Sequence, residues 1–170
     1  MPETLGGIAA KLQKRAIAHG TTVATAESCT GGNIARQLTS LSGSSGYFLG
    51  GIVSYANDVK HRVLGVPDAV LDNPGAVSEP CARAMAEGAR ALIGADIAVS
   101  TTGIAGPNGG TQRKPVGLVY IGLATASATI VERHVFPGDR AAVIEAATVR
   151  ALELLIDAVR EETRAGHDDR

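Results

Sequence analysis

Two nucleophilic side chains stand next to each other in a turn between a predicted strand and a predicted helix. Ser28 and Cys29 follow the β-branched run at residues 21–25 and precede a pair of glycines. Such a turn lies at the carboxyl edge of a sheet, beside backbone N–H groups that can hold an anion or a developing oxyanion. The alternative is structural: Ser28 and Thr30 cap the helix, and the glycines relax a tight turn.

A hydroxyl nucleophile needs a base, and Lys60 is the best candidate in the sequence. The four histidines are scattered, and the sequence places none of them near Ser28. Lysine accepts a proton only when it is neutral, so its pKa has to fall well below the ordinary ~10.4 through desolvation. Tyr55, at the end of a predicted strand just before Lys60, could relay a proton or orient the ammonium. The competing interpretation is a solvated lysine beside a core tyrosine.

Cys29 is an alternative nucleophile, because a thiol is intrinsically stronger than a hydroxyl. Its structural interpretation is a small buried hydrophobic residue. The residue types alone leave Ser28 and Cys29 both open as the attacking group.

The composition favours a single domain that acts on a small molecule. A chain of 170 residues can bury a sizeable core without disulfides. With 16 Lys and Arg against 17 Asp and Glu, the net charge of -1 predicts no nucleic-acid partner and no membrane patch. Cys29 and Cys81 have no metal-ligand spacing, so we expect reduced thiols and no structural metal. No leader pattern or ~20-residue apolar stretch is present, which predicts a cytoplasmic protein.

Hydrophobic periodicity alternates between helix and strand along the chain. Helices are predicted from residue 5 to a glycine cap at residue 20, over residues 34–41, 57–64 and 78–93, and from 139 onward. Strands are predicted over residues 21–25, 47–55, 96–102, 116–125 and 129–136. Residues 65–77 are predicted to be irregular. Asn57 is expected to cap the short third helix, in which Val59 and Val63 face the core with Lys60 on the flank.

This alternation, with one hairpin, predicts an α/β fold of the three-layer α/β/α sandwich type with a mixed sheet. Residues 1–165 are expected to form a single domain and residues 166–170 a frayed tail. Two of the strands end in glycine-rich loops, at residues 26–32 and 103–111, which we expect to lie side by side. Neither loop has a phosphate-binding fingerprint, so nucleoside triphosphate hydrolysis is disfavoured.

Several short segments together resemble the CinA C-terminal domain family, whose enzymatic members are nicotinamide mononucleotide deamidases. The segments are AESCTGG at residues 26–32, YANDVK at 55–60 with LGV at 64–66, TGIAGP at 102–107 with GGT at 109–111, KPVG at 114–117 and FPGDR at 136–140. The resemblance covers nearly the whole chain. It is closest to the stand-alone form, without the larger N-terminal domain of longer CinA proteins.

The resemblance implies Ser28 as nucleophile in preference to Cys29, Lys60 as general base and Tyr55 as a supporting hydroxyl. The turn amides after Ser28 are implied as oxyanion donors. A substrate site is implied at Glu27, Cys29, Thr30, Gly31, Gly32, Thr102, Gly103, Gly106 and Arg140. The implied reaction releases ammonia from nicotinamide mononucleotide without a metal or organic cofactor, and we further expect a homo-oligomer. The competing class is a catalytically silent nucleotide-binding or regulatory module.

Arg140 has an unusual position for a cation. It follows the Asp139 cap and so lies in the first turn of the last helix, where a positive charge opposes the helix dipole by ~0.3–1 kcal/mol. A substrate phosphate, held by the guanidinium and the first-turn amides, would explain this placement. The alternative is a solvated arginine paired with Asp139 or Glu145.

Overall fold

A mixed five-stranded sheet forms the centre of the molecule. The structure is a computed structural model that describes residues 2–165, and the side chains of residues 160–165 are outside that description. The strands are β1 (Val23–Glu27), β2 (Phe48–Val53), β3 (Ile97–Gly103), β4 (Leu118–Ala124) and β5 (Thr129–Val135). They are ordered β2-β1-β3-β4-β5, with β1 parallel to both its neighbours and β4 antiparallel to β3 and β5.

Helices cover both faces of this sheet. They are α1 (Leu5–His19), α2 (Asn33–Thr39), α3 (Asn57–Leu64), α4 (Asp68–Asp72), α5 (Glu79–Ile93) and α6 (Arg140–Ala165), with a 3-10 turn at Ser44–Gly46. The first, second and sixth helices pack over one aliphatic core, and α5 covers the opposite face with α3 and α4 against it. The predicted three-layer α/β/α sandwich with a mixed sheet is therefore confirmed.

Capping residues that are visible in the sequence set several of the helix ends. The Ser78 hydroxyl accepts a hydrogen bond from the backbone of Cys81 at the start of α5, and Gly94 ends that helix in the left-handed conformation. Gly20 ends α1 in the same way. These boundaries agree with the predicted ones, because capping residues act over three or four positions and need no tertiary contact.

Two of the differences between predicted and observed elements have a clear physical cause. The first strand is predicted at residues 21–25 but runs from Val23 to Glu27, because its neighbours supply pairing partners as far as Glu27, opposite Val53 and Thr101. Residues 65–77 are not wholly irregular, since α4 forms after Pro67, whose carbonyl accepts hydrogen bonds from the backbone of Val70 and Leu71. The predicted frayed tail at residues 166–170 lies outside the described residues.

The central strands place both glycine-rich loops at one edge of the sheet. All five residues of β1 are buried, and β1 pairs in parallel with β3, so the two strands end side by side. The loops that follow them are therefore neighbours, as predicted. Within residues 2–165, no helix is long and apolar enough to cross a membrane.

Candidate active site

The turn after β1 presents Ser28 at the carboxyl edge of the sheet. The Ser28 backbone N–H donates to the Thr101 carbonyl at 2.9 Å, which continues the β1–β3 pairing by one residue. The chain then reverses through Gly31 and Gly32, whose φ angles of 60° and 101° are in the region that favours glycine. Ser28 thus comes from a buried strand and ends in a tight turn.

Lys60 lies in the first turn of α3 and reaches the same turn. Its Nζ is 2.9 Å from Ser28 Oγ, 2.7 Å from the Ser54 carbonyl oxygen and 3.1 Å from the Tyr55 carbonyl oxygen. Only 1% of Lys60 is exposed. All three partners are neutral, and no carboxylate in the described part of the chain forms an ion pair with Lys60.

The orientation predicted for α3 is wrong. Val63 is 40% exposed, whereas Lys60 and Leu64 are the buried residues of this helix. Gly88 of α5 explains the difference, because any side chain there would collide with the Leu64 carbonyl. The end of α3 therefore lies directly on α5, and the face that carries Lys60 turns inward.

Burial changes the protonation of the groups around Ser28. It lowers the pKa of Lys60 from its ordinary value of 10.5, and the nearby Cys81 and Cys29 thiols act in the opposite direction. Burial also raises the pKa of Cys29 from 9.0 to about 12. Lysine is thus shifted toward the neutral amine that a base requires, whereas the Cys29 thiol is shifted away from the nucleophilic thiolate.

A cavity of about 280 Å³ opens above Ser28 and Lys60. Eight of the residues predicted for the site line this cavity: Ser28, Cys29, Tyr55, Lys60, Thr102, Gly103, Gly106 and Arg140. The other lining residues are Asn57, Ala76, Val77, Ile104, Ala105 and Asn108. The structure therefore gathers residues from both glycine-rich loops, the start of α3 and the start of α6 around one space.

Four residues of the predicted substrate site do not line this cavity: Glu27, Thr30, Gly31 and Gly32. The Glu27 side chain is wholly buried, and its carboxylate accepts hydrogen bonds from the Thr30 hydroxyl and from two backbone amides of α2. The glycines form the turn itself. Of these four residues, Glu27 and Thr30 are buried, whereas Gly31 is exposed and Gly32 is half-buried.

Arg140 and Tyr55 meet across the mouth of the cavity. Arg140 donates one hydrogen bond to the Gly106 carbonyl at 2.9 Å and another to the Tyr55 hydroxyl at 3.0 Å. Within the described residues, Arg140 forms no ion pair with Asp139 or Glu145, which were its alternative partners. The Tyr55 hydroxyl makes no hydrogen bond to Lys60; the residue contacts Lys60 through its backbone carbonyl.

Asn57 and Asn108 were missed as cavity residues. Asn57 was interpreted as a helix cap, but α3 begins at Asn57 itself and Ala56 precedes it without a capping side chain. Asn108 lies in the second glycine-rich loop, where a carboxamide that can both donate and accept hydrogen bonds is the sequence signal for polar recognition. In the described part of the chain, no group of three His, Cys, Asp or Glu side chains could hold a metal ion.

The fold and site together define an α/β domain with a polar cavity at the carboxyl edge of its sheet, where a serine hydroxyl contacts a buried amine. The sequence matches the family model of the CinA C-terminal domain over residues 6–159, and the chain belongs to this family. The predicted resemblance is thus confirmed. The CinA family includes amidohydrolases.

Relatives of known sequence carry the family name. A CinA-like protein of Geobacter sulfurreducens is 52% identical over 136 residues, which are 80% of this chain and 33% of that protein. A CinA-like protein of a Mycobacterium species is 49% identical over 150 residues, which are 88% of this chain and 36% of that protein. The chain spans about a third of the length of these curated relatives.

Solved structures share the fold over nearly the full length of both chains. The crystal structure of the competence/damage inducible protein CihA from Agrobacterium tumefaciens has a TM-score of 0.90 at 39% identity, covering 94% of this chain and 98% of that chain. A CinA superfamily protein from Klebsiella pneumoniae has a TM-score of 0.89 at 33% identity, covering 93% and 99%. These likenesses agree with the mixed-sheet sandwich described above.

Proposed function

We propose that this domain hydrolyses the carboxamide of nicotinamide mononucleotide to give nicotinic acid mononucleotide and ammonia, with Ser28 as nucleophile and Lys60 as general base. The observation that carries the proposal is the 2.9 Å contact between Lys60 Nζ and Ser28 Oγ, made by a buried amine whose partners are all neutral. Membership of a family that includes amidohydrolases favours amide cleavage as the reaction class.

The partners of Lys60 suit a neutral amine. A neutral amine has two hydrogens and one lone pair, and two of its three partners are carbonyls, which can only accept. If the hydrogens point to the carbonyls of Ser54 and Tyr55, the lone pair is left for the Ser28 hydroxyl. Lys60 can then take the Ser28 proton as the hydroxyl attacks.

The reaction proceeds in two halves. Ser28 Oγ bonds to the carboxamide carbon while its proton passes to Lys60, and the C–N bond then breaks as Lys60 returns that proton to the departing ammonia. Water next attacks the acyl-enzyme and gives a proton to Lys60. The acid leaves and Ser28 recovers its hydrogen, so the enzyme ends as it began.

The oxyanion of each half needs hydrogen-bond donors. The Ser28 amide is already used by the Thr101 carbonyl. By contrast, no other residue in residues 2–165 accepts a hydrogen bond from the backbone N–H of Cys29 or Thr30, and the Cys29 amide contacts only its own thiol. These two amides are the proposed donors, and losing one such donor in a serine hydrolase typically costs ~10²–10³-fold in rate.

Arg140 is the proposed grip for the substrate phosphate. Its guanidinium has five N–H donors, and its two partners here, the Gly106 carbonyl and the Tyr55 hydroxyl, are neutral. The positive charge is therefore left for an anion at the start of α6, where the helix dipole also favours negative charge. In the proposed complex, the carboxamide lies at Ser28 and the phosphate lies at the mouth of the cavity.

Ammonia release from nicotinamide mononucleotide tests the proposal, with a coupled glutamate dehydrogenase assay as the readout. Ser28→Ala should remove activity by ~10³-fold or more. The matched control is Cys29→Ala, which changes the adjacent buried thiol and should keep most of the activity. The reverse pattern would reassign the nucleophile to Cys29. If the wild type binds the nucleotide in calorimetry and releases no ammonia, the domain is a binding module.

A further inference from the structure

A buried polar network lies directly behind the Ser28 turn, on the side away from the cavity. It consists of Glu27, Thr30 and Thr101, which are 0%, 4% and 0% exposed. Glu27 Oε1 accepts from the Thr30 hydroxyl at 2.6 Å, and the Thr30 and Thr101 hydroxyls are 2.8 Å apart. Since Thr30 gives its one hydrogen to Glu27, Thr101 must be the donor in the second contact.

The carboxylate of Glu27 also holds the first turn of α2. Oε1 accepts from the Ile34 amide at 2.9 Å, and Oε2 accepts from the Ala35 amide at 3.1 Å. Gly32 stands at the cap position of this helix and has no side chain to satisfy those amides. The Glu27 carboxylate, at the end of β1, therefore caps the N-terminus of α2 from the other side of the Ser28 turn.

This network fastens the turn at both of its ends. Glu27 immediately precedes Ser28 and ties the strand to α2, whereas Thr101 of β3 holds the turn from the side. Thr101 makes two separate contacts there, from its carbonyl to the Ser28 amide and from its hydroxyl to Thr30. Both residues whose amides are the proposed oxyanion donors lie between these anchors.

A buried carboxylate without a cation is an expensive way to stabilise a fold. No Lys, Arg or His in the described part of the chain forms an ion pair with Glu27. Apolar residues of similar volume often serve stability as well as buried charges do. A directional network has a different benefit, because it fixes distances and angles.

We propose that Glu27 is a positioning residue: with Thr30 and Thr101 it holds the Ser28 turn so that Ser28 Oγ stays against Lys60 and the turn amides stay in register with the cavity. This proposal rests on the proposed function, which supplies the substrate, nicotinamide mononucleotide. We propose this positioning role for Glu27 and Thr30 in place of the predicted substrate contact, since neither side chain lines the cavity.

The test compares two isosteric variants, Thr30→Val and Glu27→Gln, with the wild type by steady-state kinetics on nicotinamide mononucleotide. Thr30→Val replaces the hydroxyl with a methyl group, and Thr30→Ser, its matched control, keeps the hydroxyl. Thr30→Val and Glu27→Gln should lower kcat by ~10–100-fold with KM changed by less than ~3-fold, because a displaced nucleophile harms the transition state more than binding. Thr30→Ser should stay within ~3-fold of the wild type in kcat. Circular dichroism and melting temperature confirm that each variant is folded.

A second readout does not depend on the substrate. A fluorophosphonate probe labels an activated serine: Ser28 Oγ bonds to phosphorus, fluoride leaves and the hydroxyl proton passes to Lys60. The labelling rate, followed by intact mass, should fall in Thr30→Val and Glu27→Gln in parallel with kcat. Folded variants with unchanged kcat and unchanged labelling would overturn the positioning role.

The two readouts also separate this proposal from the proposed function. If the wild type is labelled at Ser28 but releases no ammonia from nicotinamide mononucleotide, the substrate is wrong. A drop in labelling in Thr30→Val would then still support the positioning role, and unchanged labelling would overturn it. A wild type that neither labels nor releases ammonia would overturn both proposals.

Discussion

Two regions of this domain surround a buried or half-buried ionisable group with opposite kinds of partners. At the cavity, Lys60 is 1% exposed and meets three neutral oxygens. At the β5–α6 contact, Arg150 donates to both carboxylate oxygens of Glu132, at 2.8 and 2.6 Å, and to Glu153 at 3.1 Å. His134 adds a further contact of 2.6 Å to the Glu132 carboxylate.

The pKa of Glu132 and the pKa of Lys60 are both lowered, and the consequences are opposite. The Arg150 hydrogen bond is the largest cause that lowers the pKa of Glu132 from 4.5 to about 2. For a carboxyl group, a lower pKa means that the charged form is favoured. Burial lowers the pKa of Lys60, and for an amine this favours the neutral form. The ion pair with Arg150 thus keeps Glu132 charged at the β5–α6 contact. At the cavity, the lack of an anionic partner favours the neutral Lys60 amine that a general base requires.

The largest expected effect is the loss of activity when Lys60 is replaced. Lys60→Met should lower kcat/KM by ~10²–10⁴-fold, the usual contribution of a general base, and should raise the free energy of unfolding by ~1 kcal/mol because a poorly paired buried amine is removed. Lys60→Arg should be nearly inactive, since arginine does not deprotonate in a protein. Ammonia release and urea denaturation at pH 7 measure the two quantities.

Lys11→Met is the matched control, because Lys11 is exposed on α1 and does not line the cavity. It should change neither quantity by much. An active Lys60→Arg enzyme would contradict the comparison, since this position would then act as a fixed cation.

The pH dependence sharpens the same comparison. The active form of Lys60 is neutral, so kcat/KM should rise with pH through the lowered pKa and level off below the ordinary ~10.4. The folded state also binds this proton less tightly than the unfolded chain. The stability gained in Lys60→Met should therefore be greatest below the folded pKa and shrink as pH approaches ~10.4. A rate that falls with rising pH over this range would contradict the assignment.

A smaller effect is expected at Arg140, whose charge has only neutral partners in the described structure. Arg140→Ala should raise KM for nicotinamide mononucleotide by ~10–100-fold, the value of a charge-assisted contact, with little change in melting temperature. Nicotinamide riboside, which lacks the phosphate, is the control substrate. Equal losses on both substrates would show that Arg140 does not hold the phosphate.

Local signals explain why much of the fold was predictable. The Ser78 and Gly94 boundaries of α5 depend on contacts within a few residues, and the antiparallel hairpin follows from short range as well. The adjacency of the two glycine-rich loops also followed, because parallel strands end at one edge of a sheet. The end of β1 at Glu27 could not be predicted in this way. Pairing with strands on both sides extends β1 to residues that have only modest strand propensity.

The depth of Lys60 could not be predicted from α3 alone. Two pairs of residues compete for the inner face of this short helix, Val59 with Val63 and Lys60 with Leu64, and both have the four-residue spacing of a helix face. Hydrophobicity favours the valines. The choice is made by the close approach at Gly88 of α5, which lies 28 positions beyond Lys60. The Tyr55–Arg140 contact, across 85 positions, is beyond local inference for the same reason.

The smallest expected effect concerns Glu132, and it is on stability without an effect on catalysis. Glu132→Gln should lower the free energy of unfolding by ~1–2 kcal/mol at pH 7, because Arg150 loses its charge-assisted partner in a site only 27% exposed. The folded pKa of about 2 lies below the unfolded ~4.3, so this stability is present above ~4.3 and is lost as pH falls toward 2. The difference in the free energy of unfolding between wild type and variant should close over that interval in urea titrations, while ammonia release at pH 7 stays unchanged.

Glu145→Gln, at an exposed position on α6 without an ion pair in the described structure, is the matched control and should show no such pH-dependent gap. A gap that persists at pH 2 would mean that Glu132 acts by packing, and the contrast with Lys60 would then not be one of charge.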